Sequence, residues 1–406
     1  MMLLRKTRPI SSARAWLAHS RVRLAHPTAS SAYSSASACT GRDVPPTAPY
    51  DVLFCGTDAF ASASLAALIS HRELCSSLHV LTPADVGQKW GARRMRVSPV
   101  KQLALEHSLP HQQVPSAEDG GMDAYTLPAE LPLSSSSILL TCSFGHLIPD
   151  ALLDAFPQPW QRINIHPSLL PQLRGAAPIQ WALARRLTRS GVSIQTLEKG
   201  KFDTGRIIAQ THFDFPPLRD AGFLEVQDAM AERAARLLVQ TLSDLPTHWK
   251  HSWQQDEAQK SLAPKLQSTH SVVRWSRMQA ADIVARNNAF SYLYPLSTTL
   301  HPAAEGTSFR PVEVTLSDVA AIAQADLETI DPTAARAMHD SATLPGCALV
   351  SPALSALVVK TTPSNPPHHL LVRTLKTAGK KSKPAQEWYA AYHDRAHPTT
   401  RMLTFT

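Results

Sequence analysis

From residue 51 onward, short apolar runs alternate with stretches of helical spacing. Asp51–Thr57, Leu78–Pro83 and Ser137–Cys142 read as buried strands. Arg162–His166 alternates instead, with Ile163 and Ile165 on one face and Asn164 and His166 on the other. Val192–Leu197 and Ile207–Phe213 read as two more strands. Ala59–Leu68, Ser98–Ser108, Ile148–Phe156 and Ala176–Leu187 read as helices between them. In Phe223–Leu242, Val226, Met230, Leu237 and Leu238 recur near helical spacing. Strands with no polar face, alternating with helices, predict an α/β fold whose mostly parallel sheet is covered on both sides.

After about residue 246 the pattern changes, and the alternation of strands and helices gives way to a polar stretch. Residues 247–269 read as a linker, with Gln279–Phe290 a helix beyond it. Ser297–Leu300, Pro311–Leu316, Cys347–Val350, Ala356–Thr361 and Leu370–Leu375 are short strand candidates. Strands this short, separated by turns, predict a small β-barrel over 270–395. Ser317–Leu344 is rich in Ala and Asp and reads as an insertion on the barrel rim.

Composition adds an address and a charge. Residues 1–42 carry Arg5, Lys6, Arg8, Arg14, Arg21, Arg23 and Arg42, many serines and no acidic residue before Asp43. A basic, serine-rich, acid-free start predicts a mitochondrial transit peptide over 1–45, and hence the matrix as destination. The formal charge is +8, which suits a polyanionic partner. No apolar run reaches the roughly 18 residues of a membrane span. The five cysteines are scattered and form no CxxC pair, so a disulfide scaffold or a zinc ribbon is not expected. No HExxH or Cys/His cluster asks for a metal.

The candidate chemistry sits in Asn164-Ile-His-Pro-Ser-Leu-Leu-Pro-Gln-Leu-Arg-Gly-Ala-Ala-Pro-Ile-Gln180. Pro167 ends the strand, so Asn164 and His166 project together near its carboxyl end, where open parallel sheets bind ligands. An amide donor beside an imidazole suits a reaction that develops an oxyanion and moves a proton. A third group must orient the imidazole. Glu198 and Asp203 are within reach, and Asp203 precedes Gly205 and the Ile207 strand.

This motif, with Asp203-Thr-Gly205 after it, resembles the 10-formyltetrahydrofolate-dependent formyltransferase superfamily, and within it the methionyl-tRNA formyltransferase family. Phe54–Phe60, Ser143–Pro149, Ala263–Leu266, Val273–Ser276 and Ala378–Lys381 extend the resemblance over about residues 50–395. The resemblance implies a Rossmann-like catalytic domain over 50–246 and an OB-like C-terminal domain. It implies a catalytic trio of Asn164, His166 and Asp203, and no metal. Folate contacts would come from Ser143, Phe144, Gly145 and Leu147, and from Ser168, Leu169, Leu170 and Pro171. The acceptor would be initiator methionyl-tRNA, bound by a monomer through Lys89, Arg93, Arg94, Arg96 and Arg174, and through Lys376, Lys380, Lys381 and Lys383. The alternative acceptor within the superfamily is a small molecule, or water in a hydrolase.

Overall fold

A computed structural model describes residues 44–87, 95–217, 222–301 and 310–406. The basic leader and Lys89, Arg93 and Arg94 lie outside the described residues.

The first half is a seven-stranded sheet. In chain order its elements begin with β1 (Tyr50–Gly56), α1 (Ala59–Ser70) and β2 (Cys75–Thr82). A two-strand hairpin, β3 (Val86–Gly87) and β4 (Met95–Arg96), stands outside the sheet and carries Arg96. Then come α2 (Pro99–Glu106), β5 (His111–Gln113), β6 (Ser137–Cys142), α3 (Asp150–Asp154) and β7 (Arg162–His166). The half closes with α4 (Pro178–Ala184), β8 (Arg189–Thr196), β9 (Ile207–Asp214), α5 (Phe223–Ser243) and α6 (Leu245–Lys250).

The strand order is β5-β2-β1-β6-β7-β8-β9. The pairs from β5 to β7 are parallel, whereas β8 runs antiparallel to both its neighbours. Successive side chains of β1 serve opposite faces. Val52 and Phe54 join a core with α1, α4 and α5, while Leu53 and Cys55 join one with Phe144, Leu153 and Phe156. Both faces are dry, which is why these strands carry no polar alternation. The chain runs outward from β1 to β2 and returns to β6 on the other side of β1. That reversal opens a crevice at the carboxyl ends of β1 and β6.

Residues 252–264 differ from a free linker. Ile207 and Trp253 exchange backbone hydrogen bonds of 2.8 and 3.0 Å, and Arg174 and Ala263 are joined at 2.7 Å. This segment is a strap lying across the β9 edge and the loop after β7.

Beyond the strap, α7 (Ala280–Phe290) leads into β10 (Leu296–His301), β11 (Val312–Ala323), α8 (Gln324–Ile330) and α9 (Pro332–His339). The rest are β12 (Cys347–Ser351), β13 (Ala356–Val359), β14 (His368–Thr377), β15 (Lys383–Pro384), α10 (Ala385–Ala390) and β16 (Leu403–Phe405). The pairings run β11-β10-β16-β12-β13-β14-β15, and an extra β11–β14 pairing closes the circuit. All of these pairs are antiparallel.

Two sequence expectations need correcting here. The insertion starts later than Ser317, because β11 continues to Ala323 and pairs along β14 as far as His368. Its second half is mostly small residues around Val319 and Ile322, and it is held by its ladder to β14 and by Ile322 in the core shared with the helices that follow. The inserted part is α8 and α9, which pack Leu327, Ala334, Ala335 and Met338 on Val358 and Leu371. The barrel also extends past residue 395, since Leu403 and Phe405 of β16 are buried in its core.

His369 of β14 is buried against this helical pair. Its Nε2 meets Gln324 Oε1 at 2.7 Å, and its Nδ1 has no hydrogen-bond partner among the described residues. Burial pushes its pKa down to about 4, with Lys360, His368 and His339 adding in the same direction. The folded pKa lies below the unfolded one, so this contribution to stability is full above about pH 6.5. It is lost as pH falls from there toward about 4, where the unfolded chain binds a proton that the folded chain refuses. Urea unfolding between pH 7 and 4.5 should show stability falling. His369→Gln should make that slope shallower by at most about 1.4 kcal/mol per pH unit.

Candidate active site

A cavity of about 520 Å³ opens at the crevice. Its wall includes Asp58 and Phe60 after β1, Thr141 and Ser143–Ile148 at the end of β6, and Asn164–Pro167 at the end of β7. Gly175, Ile179 and Gln180 form another side, and Leu197, Phe202 and Asp203 come from the β8–β9 loop. The volume lies in the usual range for a small-molecule site.

Asn164 is oriented by its neighbour on β6. Thr141 Oγ1 donates to Asn164 Oδ1 at 2.8 Å, so the amide oxygen is occupied and the NH2 remains to donate. The register places Thr141 opposite Asn164, which makes this a cross-strand pair.

His166 is almost fully buried and lies between two acceptors. Nε2 is 3.0 Å from the carbonyl of Leu173, and Nδ1 is 3.5 Å from Asp203 Oδ1. A carbonyl can only accept, so the neutral ring carries its proton on Nε2. Nδ1 then holds the lone pair and faces the Asp203 carboxylate. Of the two acidic residues within sequence reach, Asp203 makes this contact. Glu198 accepts from Thr196 Oγ1 at 3.0 Å.

Asp203 adopts a left-handed conformation, φ 55°, in a tight loop. Two residues on, Gly205 lies so close to β8 that a Cβ there would sit 1.8 Å from the Thr196 carbonyl. Only glycine permits that approach. Gln195 Nε2 donates to Asp203 Oδ1 at 3.0 Å, and the Gly175 backbone N–H donates to Oδ2 at 2.9 Å.

The expected folate contacts divide. Ser143, Phe144, Gly145 and Leu147 line the cavity, with Leu147 half exposed at its mouth. Ser168, Leu169, Leu170 and Pro171 do not line it. Ser168 and Leu170 are buried, the Ser168 carbonyl accepts from Ser193 Oγ at 2.6 Å, and Leu170 N–H donates to the same hydroxyl. This loop turns behind the end of β7, onto β8 and β9, and its role is to bring the Leu173 carbonyl to His166.

The expected cations divide too. Arg174 is buried, and its guanidinium donates to Gln255 Oε1 and to both carboxylate oxygens of Glu257. That pairing holds Glu257 below the ordinary carboxylate range. Arg174 is therefore a clamp for the strap rather than a free phosphate ligand. Lys376, Lys380 and Lys381 are exposed at the β14–β15 turn, and Lys383 pairs with Glu387 at 2.8 Å.

Sequence reading missed Asp58. It caps α1 by accepting from the Ala61 N–H at 3.1 Å, and burial raises its pKa above the ordinary value. An Asp two residues after the Gly that ends β1 was the available signal. It also missed Phe223 and Gln180, which bring Tyr292 to the rim. The Phe223 and Tyr292 rings stack at 4.3 Å, and Gln180 Nε2 donates to the Tyr292 hydroxyl at 2.9 Å. Among the described residues no group of three His, Cys, Asp or Glu side chains could hold a metal ion.

Comparison with known proteins places this arrangement. Residues 52–242 match the family model described as formyl transferase. A methionyl-tRNA formyltransferase of Syntrophus aciditrophicus is 34% identical over 232 residues, covering 56% of this chain and 69% of that protein. The mitochondrial methionyl-tRNA formyltransferase of Homo sapiens is 31% identical over 255 residues, covering 62% of this chain and 59% of that protein. Among solved structures, an N-formyltransferase from Helicobacter canadensis, in complex with folinic acid and dTDP-3-aminofucose, superposes with a TM-score of 0.51 at 12% identity. That match covers 80% of this chain and 98% of the other, and shows likeness of fold. With the motif strand, the cavity and the flanked histidine in place, the chain belongs to the formyl transferase family and is a formyl-group transferase.

Proposed function

We propose that the enzyme moves the formyl group of 10-formyltetrahydrofolate to the α-amine of methionyl-tRNA, and that it does so in mitochondria as a step in translation initiation. The observation that carries the reading is His166 between the Leu173 carbonyl and Asp203, beside an Asn164 whose amide NH2 is free to donate. The relatives named methionyl-tRNA formyltransferase, bacterial and mitochondrial, support the choice of acceptor. The cavity suits a folate, with Phe144, Leu147, Ile148 and Phe202 offering apolar surface.

In this reading the α-amine, whose pKa is about 8 or below, attacks the formyl carbon in its neutral form. The carbonyl oxygen becomes an oxyanion. Asn164 Nδ2 stabilises it, an effect of about 3–4 kcal/mol for a well-placed donor. The amine must lose a proton and folate N10 must gain one. His166 Nδ1 accepts the first, directly or through water, while Asp203 stabilises the charged ring, and Nδ1 then returns a proton toward N10. The formyl C–N10 bond breaks as the new C–N bond is kept, giving formyl-methionyl-tRNA and tetrahydrofolate.

The reading assigns the RNA to the second half of the chain, as an OB-like domain. Lys376, Lys380 and Lys381, at a turn opened by Gly379 with φ 74°, are its phosphate contacts, with the hairpin that carries Arg96 as a second contact. Residues 50–246, 247–269 and 270–405 are then the catalytic domain, the connecting segment that contains the strap, and the RNA domain of a monomer.

Three outcomes are expected. Asn164→Ala and His166→Ala should each lower turnover about a hundredfold or more in a formyl-transfer assay with purified substrates, with unfolding midpoints close to the parent. Rates near the parent's in either variant would remove that residue from the site. Neutralising Lys376, Lys380 and Lys381 should flatten the log–log dependence of tRNA affinity on salt, by about 0.7–0.9 for each phosphate left without its lysine, and leave folate binding unchanged. An unchanged slope would make them a solvated turn. A fluorescent reporter behind residues 1–45 should enter mitochondria, and a diffuse cytosolic signal would refute the address.

A further inference from the structure

The strap reaches the catalytic carboxylate through two side-chain amides. Gln255 lies between Trp253 and Glu257. Its Nε2 is 3.0 Å from the Asp203 carbonyl, 2.8 Å from the Gly205 carbonyl and 3.1 Å from Gln195 Oε1. Its Oε1 accepts from Arg174 Nε at 3.1 Å and Nη2 at 2.7 Å. Gln195 is buried on β8, directly opposite Asn164 on β7. With its oxygen turned to Gln255, its own Nε2 points at Asp203 Oδ1, 3.0 Å away.

The direction of these bonds is fixed end to end. Arg174 is a donor only, so Gln255 must present its oxygen to it and its NH2 to the loop. Gln195 must then present its oxygen to Gln255 and its NH2 to Asp203. Neither amide can flip without setting two acceptors, or two donors, against each other in a largely buried site. The oxygen that receives the last of these bonds is the one facing His166 Nδ1. The same Gln255 NH2 ties the carbonyls on either side of Thr204, which holds the left-handed turn at Asp203.

We propose that Gln255 and Gln195 are positioning residues for formyl transfer: a relay Arg174–Gln255–Gln195–Asp203 that sets the rotamer of the carboxylate facing His166. The strap thereby completes the active site without touching substrate. The proposal rests on the catalytic reading of Asp203 given above.

The test is a double-mutant cycle in the full chain, with 10-formyltetrahydrofolate and methionyl-tRNA as substrates. Single-turnover conditions at high enzyme concentration keep slow rates measurable. Gln255→Ala should lower kcat about tenfold or more, with KM for the folate within about twofold, because a carboxylate misplaced by a fraction of an ångström impairs the chemical step and not the pocket. Gln195→Met should behave alike. Gln255→Glu keeps the acceptor for Arg174 and removes the donors, so it should lose activity as Gln255→Ala does. In an Asp203→Ala background, Gln255→Ala should cost nothing further, since the group it positions is gone. Parent-like kcat in Gln255→Glu would overturn the relay and leave only the Arg174 clamp. So would an equal fold-loss in both backgrounds, which would mean that Gln255 supports the strap in general. If Asp203→Ala alone kept the parent rate, the catalytic reading itself would fall, and the relay with it. An inactive Asp203→Ala beside fully active Gln255 variants would discard the relay alone.

Discussion

An imidazole held between two acceptors is the constraint from which the rest of the site follows. One acceptor is a backbone carbonyl, which fixes where the ring's proton must be. The other is a carboxylate, 3.5 Å from the opposite ring nitrogen. Holding both against a buried ring takes two loops that meet at the end of β7. The loop after β7 carries Leu173 and is tied down by Ser193, Gln210 and Ser261. The loop after β8 carries Asp203 and is tied down by Gln195, Gly175 and Gln255. The antiparallel turn into β8 is what makes this possible. After α4 it brings the chain back beside β7, so that His166 lies opposite Ser193 and Asn164 opposite Gln195.

What could be read from the sequence was what local pattern determines. The five residues of β7 alternate cleanly, so the shared face of Asn164 and His166 was visible, and the Pro after them marked the strand end. The buried strands β1 and β6 announced a sheet covered on both faces. Ser143–Leu147 follow a strand end directly and stay at the cavity. Other features depend on partners distant in sequence. Ser168–Pro171 belong to the same motif as His166, but the loop turns behind the sheet, and nothing local says so. Arg174 reads as a free cation until Glu257, 83 residues away, is placed against it. Likewise, the polar composition of the strap reads as a linker because its contribution is made mainly by backbone pairs and amide side chains, with Ala263 alone among residues 252–264 in the apolar core. The second half of β11 is rich in alanine, which marks no strand by itself, and its ladder to β14 makes it one.

The two halves of the chain share more than a connection. Trp181 of α4 packs edge-on against Phe290 of α7, and Arg186 pairs with Asp282 at 3.1 Å. Ala289 and Phe290 belong to the same hydrophobic core as the catalytic sheet. The antiparallel ring beyond them has a core of its own, around Trp275, Trp388 and Phe405. Tyr292, just past α7, is the point at which this second half comes to the edge of the cavity.

The strap also bears on a hazard unrelated to catalysis. Exposed strand edges offer unpaired backbone groups to other chains. The antiparallel ring largely avoids this, since its β11–β14 pairing closes the circuit. The catalytic sheet is open at β9, and there Trp253 occupies both backbone groups of Ile207. The segment that backs Asp203 therefore also covers the first residue of that edge. If the strap positions Asp203 as proposed, its local opening would disturb the site and unpair Ile207 at the start of that edge in the same event.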